Sequence, residues 1–121
     1  MKQEDKDLLL ADLCARLPYD IVCEMGPKNG NKIVEKLKLG GLNQLIRDNW
    51  EIKPYLFPMS SMTEEQVSQY QWLQGHVLDC MRNSFYFDTI ASLDYLYSNY
   101  IDVRGWIDKG MALDATGLNI Y

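Results

Sequence analysis

Three cysteines and a single histidine are the residues of this sequence with the clearest potential for chemistry. His76 and Cys80 lie four residues apart in a segment with helical periodicity, so they share one helix face. Cys14 precedes the first predicted strand and Cys23 lies within it. Together the four side chains could form a zinc site with three cysteine ligands and one histidine ligand.

Two observations weaken this zinc hypothesis. The CxxC spacing of structural zinc sites is missing, and Cys14 fits the apolar face of its helix as a small hydrophobic residue. An odd number of cysteines also differs from the disulfide framework of small secreted domains, which favours reduced thiols. We therefore predict no cofactor, and we interpret His76 as a histidine bonded to a neighbouring group.

The common sequence motifs of enzymes are missing. The chain has no glycine-rich phosphate loop, no HExxH and no calcium-loop pattern. Acidic residues are frequent, but no two are distinguished by their spacing as a general acid and a general base. No catalytic residue is predicted, and an enzyme that depends on carboxylates or a bound metal remains an alternative.

Aromatic residues and an arginine in the last third of the chain could bind another protein. Arg104 and Trp106 belong to the residue types that are enriched in binding hot spots. Tyr95 and Tyr97 extend this candidate surface, because tyrosines suit polar and aromatic contacts. The alternative is that Trp106 fills the core, that Arg104 pairs with an acid and that the tyrosines line the buried side of a helix.

A second candidate surface contains Lys32, Lys36 and Lys38. In KIVEKLKLG the lysines alternate with Ile33, Leu37 and Leu39, which is the period of a half-buried strand. Lysines on an exposed strand usually keep it from pairing with other chains. The alternative is a patch for an anionic partner, including weak binding of nucleic acid.

The stretch KPYLFPMSSMTEEQV (53–67) predicts an extended segment that leads into a helix. Pro54 and Pro58 disfavour helical geometry at the residues before them. Thr63 and Gln66 have the spacing of a capping box, and Met62 and Val67 have that of a hydrophobic staple. We interpret the stretch as a crossing connection followed by a helix start, and not as a catalytic loop.

These motifs lie on a predicted α+β fold. We expect an N-terminal helix over 6–17 with Leu9, Leu13 and Cys14 on its apolar face, a small antiparallel sheet of about three strands or a partial barrel, then two helices and a docked irregular tail. The strands are predicted over 19–25, 32–39 and 42–50, and the alternative for 42–50 is one turn of helix. The first of the two later helices is predicted from Thr63 to about Met81, with Val67 facing the core and with Asn83 and Ser84 ending it. The second is predicted from a cap at Asp88.

Length and composition predict one globular domain over residues 1–121. Hydrophobic residues make up 47% and charged residues 24% of the chain, which are ordinary values for a soluble domain. No apolar run approaches the length of a membrane span, and no export signal is recognisable, so a cytoplasmic location is expected. The net charge of −5 disfavours nucleic acid as the main partner.

Three segments resemble a known family. They are DLCARLPY (12–19), KPYLFPMSSMTEE (53–65) and YIDVRGWIDKGMALDATGLNIY (100–121). They are similar to segments of a family of small uncharacterised proteins from gut anaerobic bacteria, their phages and integrated elements. Members usually have a glycine after LPY, where this chain has Asp20. The resemblance implies a bacterial or phage setting and no activity, cofactor or catalytic residue.

Taken together, the sequence predicts a small non-enzymatic accessory protein that binds another protein of unknown identity. A homodimer is possible, and neither a membrane nor nucleic acid is an expected partner. The acidic, aromatic second half of the chain suits this role, since residues 51–121 carry nine acidic and four basic side chains.

Overall fold

The structure is a computed structural model that describes the backbone of residues 3–47, 50–80 and 85–121. Side chains are described for residues 3–43, 47, 50–73 and 91–121. The fold is α+β with an N-terminal helix, as the sequence predicts. Its elements are α1 (Gln3–Arg16), β1 (Val22–Gly26), β2 (Ile33–Lys36), α2 (Leu39–Arg47), β3 (Glu51–Leu56), α3 (Glu64–Cys80), α4 (Phe85–Ser98) and β4 (Leu113–Asp114).

One small sheet forms the centre of this fold. Its strand order is β2-β1-β3-β4, with antiparallel pairs between the first three strands and a parallel pair between β3 and β4. The predicted antiparallel sheet is therefore extended by a short fourth strand from the tail, which makes the sheet mixed. Two strands can pair in parallel here because helices α3 and α4 connect them.

Helix α1 buries a face different from the predicted one. Leu9 and Leu13 are in the core as expected, but Cys14 is exposed. Asp12 and Arg16 take the buried positions beside the leucines, where they form an ion pair. A pattern based on hydrophobicity cannot identify this face, because a paired acid and base can replace apolar residues inside a protein.

The loop between α1 and β1 contains a residue with a left-handed backbone conformation. Asp20 adopts a φ of 56°, in the left-handed region that favours glycine and tolerates aspartate. The residues before it, Leu17–Tyr19, form one turn of 3-10 helix rather than the start of a strand. Strand β1 consequently begins later than predicted.

Strands β1 and β2 form the predicted hairpin. Cys23 pairs with Glu35 and Met25 pairs with Ile33 across it. Gly26 ends β1 where the chain passes close to itself, since a Cβ atom there would lie 2.4 Å from the carbonyl oxygen of Asn31. Only glycine fits this position without a shift of the backbone.

The segment between β2 and β3 corrects the prediction for residues 42–50. We predicted a third strand there, and this was wrong up to Arg47, because Leu39–Arg47 form helix α2; residues 48 and 49 lie outside the described part of the chain. The third strand is β3, which we had interpreted as a crossing connection. Leu42 on α2 is buried in the core, so packing of this short amphipathic helix decides the conformation.

Pro54 lies inside β3 without removing a bond between strands. The amide of Leu37 donates to the carbonyl of Ile21 over 2.8 Å, which fixes the alternation of bonded and non-bonded pairs in the hairpin. Continued across β1, that alternation makes Cys23 and Pro54 a non-hydrogen-bonded pair. The missing N–H of Pro54 therefore faces away from β1.

Helix α3 begins with the predicted capping box. The amide of Gln66 donates to Thr63 Oγ1 over 3.1 Å, and the amide of Thr63 donates to Gln66 Oε1 over 3.0 Å. Val67 is 37% exposed, so it does not face the core as we had expected. The predicted end of this helix at Met81, and Asn83 and Ser84 after it, lie outside the described residues.

Helix α4 and the tail complete the core. The helix begins at Phe85, before the predicted cap at Asp88, whose side chain lies outside the described set. The tail is docked, as predicted: Trp106 is fully buried, and Met111, Ala112 and Ala115 are also in the core. In the parts of the chain that the structure describes, no helix is both long and apolar enough to cross a membrane.

Candidate functional site

Strand β2 lies at one end of the sheet. In the described chain it pairs with β1 on one side, and its other side has no partner strand. Four residues form it, and all four side chains are exposed. The free side of an end strand is a template on which another extended chain can pair.

The backbone groups on this free edge belong to Val34 and Lys36. Because Leu37 donates its amide to β1, residues of the same parity, Ile33 and Glu35, also direct their N–H and C=O groups toward β1. The N–H and C=O groups of Val34 and Lys36 then point outward, to the free edge. Two residues thus present unpaired backbone donors and acceptors side by side.

Both faces of β2 carry an exposed aliphatic side chain. Ile33 is 49% exposed although it pairs with the buried Met25, and Val34 on the opposite face is 55% exposed. Leu39, just after the strand, is 73% exposed. The predicted half-buried alternation is therefore wrong for Ile33 and Leu39, whereas Leu37 is buried as expected. The reason is that neither face of β2 itself is covered, since all four of its side chains are exposed.

Lysines surround these aliphatic residues. The ammonium of Lys32 donates to the carbonyls of Pro27 and Lys28 and so closes the hairpin turn. Lys36 lies 3.9 Å from the carboxylate of Asp20, with 64% of its side chain exposed, and Lys38 is also exposed. Between residues 28 and 38 the sequence has four lysines and one glutamate, so the free edge is locally basic.

The other candidate surface is partly buried. It consists of Tyr95, Tyr97, Arg104 and Trp106. Trp106 is fully buried and Tyr97 is 7% exposed beneath the guanidinium of Arg16, 4.7 Å from the ring centre. Arg104 is exposed, with Nε 3.9 Å from Asp12, and Tyr95 is partly exposed. Since Trp106 and Tyr97 are unavailable to a partner in the folded chain, we do not retain this set as one contact surface.

The zinc hypothesis can be examined only for two of its four residues. The side chains of His76 and Cys80 lie outside the described set. Cys14 is exposed on α1, whereas Cys23 is fully buried in the core, where burial raises the pKa of its thiol to about 12. Among the described residues, no group of three or more acidic, cysteine or histidine side chains could hold a metal ion.

Two features of the structure were not recognised in the sequence. One is the exposure of Ile33 and Val34, which a strand pattern alone cannot separate from burial, because it depends on how far the core extends. The other is Tyr121, whose hydroxyl bonds to β1 and β3. The only sequence signal for the exposed aliphatic pair was the density of lysines around it.

Comparison with known proteins adds no similarity. The chain matches no known protein-family model, and no curated protein and no solved structure is significantly similar to it.

Proposed function

We propose that this chain is a small non-enzymatic accessory protein of a bacterial or phage genome that binds an extended segment of another protein. The segment adds to the sheet beside β2. The observation that carries this proposal is the free edge itself, where the N–H and C=O groups of Val34 and Lys36 face outward between two exposed aliphatic side chains. Strand addition gives affinity through backbone bonds and specificity through alternate side chains.

The charges around the edge favour an acidic partner. Lys28, Lys32, Lys36 and Lys38 give this region a positive charge in a protein whose net charge is −5. A partner strand with Asp or Glu beside the lysines and aliphatic residues beside Ile33 and Val34 is complementary to both features. A second copy of this chain is disfavoured, since pairing β2 with itself would bring two lysine clusters together.

Nucleic acid fits the same lysines less well. The carboxylates of Asp20 and Glu35 lie within or beside the cluster, and the exposed Ile33 and Val34 offer nothing to a phosphate. Binding to phosphates is mainly electrostatic and needs a continuous basic surface. The aliphatic pair at the centre of the patch is better explained by a peptide strand.

Display selection with a random peptide library on the purified protein tests the proposal. We expect selected peptides to alternate aliphatic with acidic residues. A Val34→Pro variant should lose them, because it lacks the outward N–H and yet keeps every bond from β2 to β1. Val34→Ala is the matched control: it retains the N–H and should bind the peptides with only modest loss.

Two triple variants separate the contribution of charge to peptide binding from the contribution of strand pairing. Lys32→Glu, Lys36→Glu and Lys38→Glu combined should abolish binding of the acidic peptides. The same change at Lys6, Lys53 and Lys109 has an equal effect on net charge and should leave binding intact. The proposal fails if the peptides bind Val34→Pro as well as wild type, if selection gives no acidic preference, or if duplex DNA competes with the peptides.

A further inference from the structure

A cleft lies beside the ends of β3 and β4, where Phe57 and Thr116 line it. It has a volume of about 400 Å³, within the range of small-molecule sites. Its walls come from the 3-10 turn Met59–Ser61, the first turn of α3, the end of α4 and the tail. Parts distant in sequence thus meet around one space.

Aromatic rings form an ordered part of the lining. The rings of Tyr100 and Tyr121 are stacked, with centroids 3.6 Å apart and planes 9° from parallel. Phe57 lies against Tyr121 at 6.0 Å with a tilt of 56°. The hydroxyl of Tyr100 donates to the carbonyl of Tyr19 over 2.6 Å, which fixes its ring. The aromatic part of the cleft is therefore preorganised.

None of the described residues that line this cleft is charged. Charged residues make up 24% of the chain, so an uncharged lining over four different segments is unusual for this protein. The polar residues there carry hydroxyl or amide groups, as in Thr63, Gln66 and Asn99. Such a lining cannot neutralise an ionic ligand, and it favours one that is neutral and polar.

Hydrogen-bonding capacity remains on two of these side chains. Thr63 Oγ1 accepts the Gln66 amide, a bond that does not use its hydroxyl proton. Gln66 Nε2 donates to Asn99 Oδ1 over a long 3.4 Å, which leaves its second N–H unused by that bond. These donors surround a partly apolar space that also contains aromatic rings. Such a space is complementary to a ring-shaped molecule that carries hydroxyl groups at its edge and C–H groups on its faces.

We propose that this cleft binds a neutral carbohydrate, with a pyranose ring held by the hydroxyl and amide groups and against the aromatic side chains. This inference is independent of the strand-addition proposal, because β2 contributes nothing to the cleft. It assigns a ligand class to a site built from the turn, two helices and the tail.

The test is a titration of the ¹⁵N-labelled full chain with glucose, galactose, N-acetylglucosamine and maltose at millimolar concentrations, followed by amide chemical shifts. We expect at least one of these sugars to produce saturable shifts at Gln66, Asn99 and Thr116. Glucuronate, which has a glucose-like ring and a carboxylate, should bind at least about tenfold more weakly than glucose.

Two tryptophan variants localise the site. Ser61→Trp places a large ring in the cleft and should abolish the shifts. Ser60→Trp changes the neighbouring exposed residue of the same turn, which does not line the cleft, and should leave them unchanged. The proposal is overturned if none of the four sugars gives saturable shifts there, if glucuronate binds as well as glucose, or if Ser61→Trp binds like wild type.

Discussion

Arg16 and Asp12 form an ion pair inside the protein, with the guanidinium Nε 2.8 Å from the carboxylate Oδ2 and neither side chain exposed. One turn of α1 separates them. Arg16 Nη2 also donates to the carbonyl of Ile101 over 2.7 Å, and its guanidinium lies over the ring of Tyr97. The pair therefore connects α1 to α4 and to the chain that follows it.

Removing one partner of this pair should be costly. We expect Asp12→Ala to lower the free energy of unfolding by about 3–5 kcal/mol, because it leaves the Arg16 charge buried without its carboxylate. Equilibrium urea unfolding measures the change. Asp7→Ala is the matched control, since Asp7 accepts a bond from Gln3 at the same spacing on the exposed side of α1 and should change stability by less than about 0.5 kcal/mol. Similar losses for both variants would contradict this role of the buried pair.

The capping box at the start of α3 gives a second stability prediction. Thr63→Ala should cost about 0.5–2 kcal/mol, because the Gln66 amide loses the oxygen that accepts its hydrogen bond. Thermal unfolding compared with Ser68→Ala, an exposed position in the same helix, separates the cap from general helix propensity. The serine variant should be neutral or slightly stabilising. If both variants are equally unstable, the cap does not stabilise the helix.

Local signals made part of this fold predictable. The helix start at Thr63 and the hairpin around Gly26 follow from capping residues and turn residues that act over a few positions. The docked tail was also predictable, because it is rich in apolar residues. The capping box and the hairpin depend on chemistry between near neighbours in sequence.

The features that the sequence did not predict depend on distant contacts. Whether residues 42–47 form a helix or a strand was decided by the packing of Leu42 into the core. The buried face of α1 was hidden because Asp12 and Arg16 satisfy each other there. At the candidate site the lysines were recognised, but the exposure of Ile33 and Val34 became visible only when the strand order placed β2 at the end of the sheet.

Tyr121 gives a prediction about the junction of the tail with the sheet. Its hydroxyl accepts the amide of Val22 over 2.9 Å and donates to the carbonyl of Tyr55 over 2.8 Å, so it bridges β1 and β3 just beyond their last pair. Tyr121→Phe keeps the ring but leaves both groups without this partner. We expect a loss of about 1–3 kcal/mol in urea unfolding and faster amide exchange at Val22. Tyr55→Phe is the control, because only its main-chain carbonyl takes part; unchanged exchange in Tyr121→Phe would refute the bridge.

The two described cysteines should differ in reactivity. Cys14 is exposed on α1 and should react rapidly with iodoacetamide at neutral pH, whereas the fully buried Cys23 should react only after unfolding. Peptide mass spectrometry at increasing reaction times, with and without urea, assigns the label to each residue. Equal labelling rates in the native protein would show that the core around Cys23 opens readily.

The buried thiol of Cys23 also predicts how stability changes in alkali. Burial raises the pKa of this thiol from 9.0 to about 12, so between these values the unfolded chain releases a proton that the folded chain retains. The folded state then binds more protons, and the free energy of unfolding should decrease as pH rises above 9, by up to about 1.4 kcal/mol per pH unit. Urea unfolding from neutral pH to about pH 10.5 measures this slope.

The Cys23→Ala variant should start from lower stability, and its stability should decrease less steeply as pH rises. The decrease that remains near the upper end of this pH range comes from the Tyr121 phenol, because burial raises its pKa as well. A variant with the same slope as wild type would mean that Cys23 does not titrate differently in the two states.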